Sequence, residues 1–239
     1  REVGERLAIM KRTLICLGLA MAVSAMAIDP RLSSISPPGV QAGTEVELRF
    51  NGSRLDDAEE LLFYKKGFTV VKLEEVAAGF VRAKVKVAAD CPLGEHPVRV
   101  RTKGGITELR TFYVGPFPVV NRVRPKAGEP HQKLPLNSTV ASSVPNESQE
   151  IFTIDAKKGQ RLSVEVVAAR LNSKMDPVLR ILSATGQELL AVDDDLGLGA
   201  DCRLGLTAAE DGEYIVEVGD NKYLAGNRYR LRIGDFPLV

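Results

Sequence analysis

Four aspartates lie close together in the stretch AVDDDLGLGAD, which spans residues 191 to 201. Calcium prefers carboxylate and other oxygen ligands and takes about six to eight of them in a flexible site. Successive side chains of an extended chain point to opposite sides, so Asp193 and Asp195 share a side and Asp201 can return to it. These three residues are candidate calcium ligands.

A second interpretation of the same stretch stays open. Its spacing lacks the D-x-[DN]-x-[DN]-G pattern of an EF-hand, and three consecutive aspartates reach one ion only through a tight turn. In this interpretation the stretch is a solvated hairpin whose aspartates accept hydrogen bonds from nearby backbone N–H groups.

Residue types that catalyse reactions are few. The chain has two histidines and no tryptophan, and aromatic residues make up only 5% of it. Cys91 and His96 are close in sequence, but no third group is present to orient the histidine, which predicts two surface side chains and no catalytic pair. A glycosidase would also need paired carboxylates in a cleft and aromatic platforms for sugar. We therefore expect this chain not to be an enzyme.

Strand patterns, separated by turn signals such as Asn51-Gly52 and Asp211-Gly212, follow one another from Asp29 onward. Residues 54–64, RLDDAEELLFY, are the only helix-like piece, and we interpret them as a polar turn followed by a short strand at 61–64. Short strands at this spacing predict an all-β fold of two consecutive β-sandwiches. The six clearest alternating segments are 45–50, 80–87, 96–102, 161–168, 213–220 and 228–234.

A repeated phrase marks where each sandwich ends. Residues 113–120 are YVGPFPVV and residues 232–239 are RIGDFPLV. A strand, a glycine turn and a proline-stiffened exit make a suitable linker. The repeat predicts a first module over 29–117, a second module over 118–235 and the start of a further linker at 236–239, with another module expected beyond it.

The N-terminal segment predicts export. After an upstream extension, residues 10–27 combine a basic start, an apolar run and Ala25-Met26-Ala27, the pattern of a cleaved signal peptide, so residues 1–27 do not belong to the fold. No other run approaches the roughly 18 apolar residues of a membrane helix, so no membrane span is expected after cleavage. We expect a secreted, periplasmic or cell-surface protein. The remaining cysteines, Cys91 and Cys202, fall in different modules and are expected to stay unpaired.

The overall charge of the chain does not indicate a binding partner. The formal net charge is +1, with 32 Lys and Arg against 31 Asp and Glu, which argues against nucleic acid as a ligand. Local basic clusters occur at Lys65-Lys66 and at Arg122, Arg124 and Lys126. We interpret them as solvated faces, and contact with an extracellular polyanion is the alternative.

Residues 29–115 resemble the immunoglobulin-like IPT/TIG module. The motifs that carry this resemblance are an opening P-x-L-x-x-I-x-P, a Gly-Thr before the second strand, a polar-Gly turn, and a late pair of strands joined by Thr-x-Gly-Gly. The resemblance implies an immunoglobulin-like sandwich.

Residues 120–235 resemble the bacterial pre-peptidase C-terminal (PPC) domain. The motifs are a Lys-Gly-Gln turn, L-x-x-x-x-D-P, the DDD loop, D-G-x-Y and a closing Y-x-L. The resemblance implies a jelly-roll-like sandwich that occurs as a non-catalytic appendage of secreted proteins. It adds Asp176 and Asp220 to the candidate calcium ligands, because both match acidic positions of that family. Several members also bind calcium through linker glutamates, and here Glu129 is the only linker acid.

Two functions follow from these features. The first is a non-catalytic extracellular binding or adhesion module pair of a larger secreted protein, with an unidentified extracellular protein or polysaccharide as its partner. The alternative is an accessory N-terminal region of a secreted, peptidase-like hydrolase whose catalytic domain lies beyond residue 239.

Overall fold

The computed structural model describes residues 29–145, 147–192, 199–224 and 226–237. The predicted signal peptide and two of the candidate ligands, Asp193 and Asp195, lie outside these residues. Within the described ranges the structure has nineteen β-strands and one short 3₁₀ turn, Ala169–Leu171. The all-β prediction is confirmed.

The first module contains nine strands: β1 (Arg31–Ser36), β2 (Gly39–Gln41), β3 (Glu45–Ser53), β4 (Ala58–Phe63), β5 (Phe68–Ala77), β6 (Phe80–Val87), β7 (Gly94–Thr102), β8 (Gly105–Ile106) and β9 (Arg110–Gly115). One sheet has the order β1-β3-β6-β5, and the other has the order β2-β9-β7-β4 with β8 beside β7. A four-stranded sheet in this order opposite a sheet built on the fourth, seventh and last strands is the immunoglobulin arrangement.

The second module contains ten strands: β10 (Val119–Val120), β11 (Gln132–Lys133), β12 (Ser138–Ser143), β13 (Glu150–Ala156), β14 (Arg161–Val167), β15 (Pro177–Ser183), β16 (Glu188–Val192), β17 (Cys202–Thr207), β18 (Gly212–Asp220) and β19 (Arg228–Gly234). The sheets have the orders β10-β12-β19-β14-β17 and β11-β13-β18-β15-β16. The eight longer strands, β12 to β19, form the four-stranded orders β12-β19-β14-β17 and β13-β18-β15-β16, which are those of a jelly roll.

Each module has its own buried core. In the first, residues from both sheets pack together, among them Phe50 of β3 and Phe112 of β9. In the second, Phe152 of β13 and Tyr229 of β19 belong to a separate cluster. Alternation produces these faces: in β6 every second residue from Val81 to Val87 is buried. Fully burying a large apolar side chain stabilises the fold by about 1.5–3 kcal/mol, so each core supports its own sandwich.

The alternating segments of the sequence correspond closely to strands of the structure. Five of the six alternating segments lie wholly within strands, and the sixth, 161–168, extends one residue beyond β14. The helix-like piece at 54–64 is a turn followed by β4. Cys91 and Cys202 are both buried, and they belong to separate cores. No helix in the described ranges has the length and apolar character needed to cross a membrane.

A buried arginine joins the two modules. The Arg230 side chain is 1% exposed, its Nη2 donates to Thr139 Oγ1 at 3.1 Å, and its guanidinium lies 4.4 Å from the ring centre of Tyr113 in the first module. Gly115 leaves room for this approach, because a Cβ there would meet Nη2 and the guanidinium would have to shift. Burial lowers the pKa of Arg230 to about 10, so the group stays charged at neutral pH. The modules therefore contact one another through a fixed cation and an aromatic ring.

Candidate functional site

The carboxylate of Asp201 accepts hydrogen bonds from nearby N–H groups on both of its oxygens. Its carboxylate is 0% exposed. Oδ1 accepts hydrogen bonds from the backbone N–H groups of Ala168 and Ala169 at 2.8 and 2.7 Å, and Oδ2 accepts from Arg170 Nε at 2.7 Å. The carboxylate therefore satisfies N–H groups at the start of the 3₁₀ turn and neutralises a partly buried guanidinium.

Asp176 and Asp220 lie next to each other, where β15 pairs with β18. Asp220 is 4% exposed and accepts hydrogen bonds from the backbone N–H of Lys222 and from Asn227 Nδ2, both at 2.9 Å. Asp176 pairs with the ammonium of Lys222 at 3.2 Å. These two carboxylates hold the loop between β18 and β19.

The described residues contain no group of three or more His, Cys, Asp or Glu side chains arranged to hold a metal ion. The calcium site stays a prediction, because Asp193 and Asp195 lie outside the described ranges. Of its five proposed ligands, Asp201 already accepts N–H donors on both oxygens, and Asp176 faces an ammonium group. Calcium would have to displace donors that already satisfy these carboxylates.

We expect thermal melts of the chain with millimolar calcium, with magnesium and with chelator to coincide at one ionic strength. Calcium bound only by the folded state would raise the melting temperature through linkage. Carboxylates that already accept hydrogen bonds or pair with a cation have little free capacity to bind calcium. Without a specific site, calcium and magnesium screen surface charges equally and change the melting temperature by the same amount. Differential scanning calorimetry measures this directly. A calcium-specific rise that the chelator reverses would show that the aspartate loop binds the ion.

Cys91 and His96 are buried, so the prediction that they are surface side chains was wrong. The thiol is 3% exposed and the imidazole 0%, with Sγ 3.9 Å from Nε2. Nε2 donates to the carbonyl of Pro92 at 2.6 Å. Burial raises the pKa of the Cys91 thiol and lowers the pKa of the His96 imidazole. Both groups are therefore neutral, and Nε2, already a donor, cannot take a proton from the thiol.

The linker cluster is only partly the solvated face that its sequence predicted: Arg124 and Lys126 are exposed, but Arg122 is largely buried, and both arginines pair with a buried carboxylate. Arg122 Nε and Arg124 Nε lie 3.1 and 3.0 Å from the carboxylate oxygens of Glu150, whose side chain is 1% exposed. The Tyr229 hydroxyl donates to the same carboxylate at 2.8 Å. A signal for this site was present in the sequence: Glu150 alternates with Phe152 along β13, which places it on the buried face. The sequence interpretation missed it.

An open cleft of about 480 Å³ lies on the outer face of the second module. Outward-facing side chains of β13 and β15 form its floor, Ile151 and Val178 being apolar and Arg180 charged. Gly219 of β18 is paired with Val178, and its missing side chain leaves a depression beside Gln149. The floor is therefore part apolar and part polar, as in many ligand sites.

Tyr223 forms one wall of this cleft. Its side chain is 70% exposed, and its φ of 54° is left-handed, which is uncommon for an aromatic residue. The Asp220 hydrogen bonds described above hold this loop, and the backbone N–H of Tyr223 donates to the Asp220 carbonyl at 2.9 Å. Asn221 adds an amide to the lining. The loop thus presents an aromatic ring and an amide beside a shallow floor.

The comparisons with known proteins give fold-level likenesses alone. No family model and no curated protein matches the chain. The pre-peptidase C-terminal domain of a Bacillus anthracis collagenase is 14% identical and has a TM-score of 0.37, over 47% of this chain and 99% of that one. PliG of Aeromonas hydrophila, a periplasmic inhibitor of g-type lysozyme, is 12% identical, with a TM-score of 0.32 over 43% and 96%.

SGBP-B of a Bacteroides ovatus mixed-linkage glucan utilization locus, solved in complex with a mixed-linkage heptasaccharide, is 10% identical. Its TM-score is 0.32, over 81% of this chain and 75% of that one. Likenesses of this size identify neither a ligand nor an activity for this chain. The IPT/TIG and PPC resemblances stay predictions.

Proposed function

We propose that this chain is a non-catalytic, extracellular pair of β-sandwich modules that binds polysaccharide as part of a larger exported protein. The observation that supports this most directly is the cleft of the second module. It combines an exposed aromatic ring, Tyr223, with the side-chain amides of Gln149 and Asn221 and the guanidinium of Arg180. A ring offers an apolar face to a sugar, and the amide and guanidinium groups offer hydrogen bonds to its hydroxyls.

The openness of the cleft favours a chain over a small molecule. Its floor is the surface of a sheet, and its walls are the residues 147–149 before β13 and the loop after β18, so a ligand can extend along the sheet between them. Backbone pairing of β13, β15 and β18 fixes the floor. Sites built on strands hold their groups more rigidly than sites built on loops alone.

A binding role fits the chemistry of the described side chains better than catalysis does. Cys91 and His96 are buried and neutral. His96 Nε2 donates to the Pro92 carbonyl, so it cannot accept the thiol proton that nucleophilic attack by Cys91 would require. The Asp201 carboxylate is occupied by backbone donors. Neither group reaches the cleft that Tyr223 lines.

Replacing Tyr223→Ala is expected to weaken binding of a neutral polysaccharide at least about tenfold, because a central tyrosine anchor contributes about 2 kcal/mol. Affinity electrophoresis through gels containing glucan, xylan or mannan measures the loss. Tyr64→Ala is the matched control, since Tyr64 is 58% exposed and lies in the first module. Equal retardation of the wild type and the Tyr223 variant in every gel, or an equal loss in the Tyr64 control, would contradict the proposal.

A further inference from the structure

A second concave surface lies between the two modules. This junction groove, about 320 Å³ in volume, is lined by Ser34 and Arg110 of the first module and by Lys174 and Arg228 of the second. Arg228 Nη1 donates to Ser34 Oγ at 3.2 Å across the junction. Asn172 Oδ1 likewise accepts from the backbone N–H of residue 111 at 2.9 Å. Hydrogen bonds between the modules therefore hold the walls of the groove.

The lining of the junction groove is cationic. Arg110, Lys174 and Arg228 contribute to it, and no carboxylate does. Lys174 and Arg228 are exposed, and neither has an ion-pair partner among the described residues. Arg110 alone has an acidic neighbour, Glu108 at 3.4 Å, which lies outside the lining. In a chain whose formal net charge is only +1, this is a local concentration of unneutralised positive charge.

The cationic surface continues beyond the groove. A neighbouring hollow of about 350 Å³ shares Pro38 and Arg228 with the groove. Arg122 and Arg124 line this hollow, again without a carboxylate in the lining. Glu150 lies beneath both arginines, but the side chain of Arg124 stays 56% exposed. The groove and the hollow together form a continuous path, which suits an extended anionic chain better than a single small anion.

Neutral groups in the groove indicate the chemistry of that chain. The side-chain amides of Asn172 and Asn227 and the hydroxyl of Ser34 can bond to hydroxyl groups of a ligand. The aromatic residue of the lining, Tyr229, is 1% exposed and its hydroxyl donates to Glu150. It offers no face for a nucleobase, so single-stranded nucleic acid would lack its usual stacking contacts.

We propose that the junction groove binds an acidic polysaccharide, with Lys174 and Arg228 contacting its carboxylate or sulfate groups. The neutral amides and hydroxyl contact the sugar hydroxyls between those charges. This site is separate from the Tyr223 cleft, so the proposal does not depend on the function proposed for that cleft.

The test measures binding of polygalacturonate and heparin oligosaccharides to the full chain by isothermal titration calorimetry at low and high salt. The double variant Lys174→Gln, Arg228→Gln is expected to bind at least about tenfold more weakly, with a smaller salt dependence, because two charged hydrogen-bond donors are lost. The matched control is Lys72→Gln, Lys158→Gln, which removes the same charge at two exposed lysines outside the groove. It should bind like the wild type.

Two results would overturn the proposal. Equal affinity of the groove variant and the wild type would place binding elsewhere, and an equal loss in both double variants would show a diffuse charge effect. Oligoglutamate and single-stranded DNA of matched charge serve as competitors, and displacement as strong as by the acidic oligosaccharides would show that no sugar is recognised. Binding of neutral polysaccharide at the Tyr223 cleft should be unchanged in the groove variant, which separates failure here from failure of the proposed function.

Discussion

Glu150→Gln is expected to lower the free energy of unfolding of the second module by about 3 kcal/mol, the low end of the cost of leaving a buried charge unpaired. The side chain of Glu150 is 1% exposed. Its carboxylate pairs with Arg122 and Arg124 and accepts a hydrogen bond from the Tyr229 hydroxyl. Arg122 is only 12% exposed and also lies over the ring of Phe152 at 4.6 Å. It therefore cannot simply turn into water when its partner loses its charge.

The same change should alter the dependence of stability on pH. Burial alone would raise the pKa of Glu150, but the hydroxyl and guanidinium groups around it outweigh burial and lower the pKa below 4.5. A group whose pKa is lowered by folding stabilises the protein above its unfolded pKa, and this stabilisation is lost as the pH falls through the folded value. The difference in stability between wild type and Glu150→Gln should therefore be largest near neutral pH and narrow below about pH 4.5.

Urea unfolding followed by circular dichroism at several pH values measures both effects. Arg124→Gln is the control on the same carboxylate. Because the Arg124 side chain is 56% exposed, its loss should cost less than about 1 kcal/mol. A Glu150 variant as stable as this control at pH 7 would contradict the buried ion-pair account. So would a stability difference that stays constant down to pH 3.

Much of the fold could be predicted from the sequence, because alternation is a local signal. The segments 80–87 and 228–234 coincide with β6 and β19 at both ends. Strand β5, Phe68–Ala77, gave no such signal: it lies at the edge of its sheet with most side chains exposed, and its register shifts in two places. An edge strand with bulges has no regular buried face to mark it.

The candidate sites were harder to predict, since they depend on which strands pair. The junction groove brings Ser34 beside Arg228, nearly the whole chain apart in sequence, through the packing of two modules. Tyr223 forms a wall of the cleft because its loop adopts a left-handed conformation, for which sequence gives little warning at an aromatic residue. His96 lies on the same face of β7 as Val98 and Val100, so the alternation of segment 96–102 already indicated its burial, and the surface prediction overlooked that signal.

Asp201→Ala is expected to lower the free energy of unfolding by about 3–5 kcal/mol, the cost of removing one partner from a buried charged pair. The variant leaves the backbone N–H groups of Ala168 and Ala169 and the Nε of Arg170 without their acceptor. Arg170 also pairs with Glu165 at 3.2 Å and with Glu95 of the first module at 3.3 Å, and these two contacts remain in the variant.

Asp176→Ala is the matched control for the second module, because this aspartate pairs with Lys222, whose side chain is 61% exposed. Its loss should cost less than about 1 kcal/mol, the usual range for a surface pair. The loss in free energy of unfolding for Asp201→Asn should lie between those of Asp201→Ala and Asp176→Ala. The amide keeps one acceptor oxygen, but its NH₂ group faces the donors that the second carboxylate oxygen bound.

Denaturant unfolding with calcium and with chelator also separates the two interpretations of Asp201. If its carboxylate acts only on the 3₁₀ turn and on Arg170, the loss in stability is the same in both solutions, because the N–H donors need no ion. If Asp201 is a calcium ligand together with the neighbouring aspartates, wild type gains stability from calcium and the alanine variant does not, so the difference grows with calcium concentration. We expect the difference to be constant, because all the donors that surround Asp201 in the structure are N–H groups.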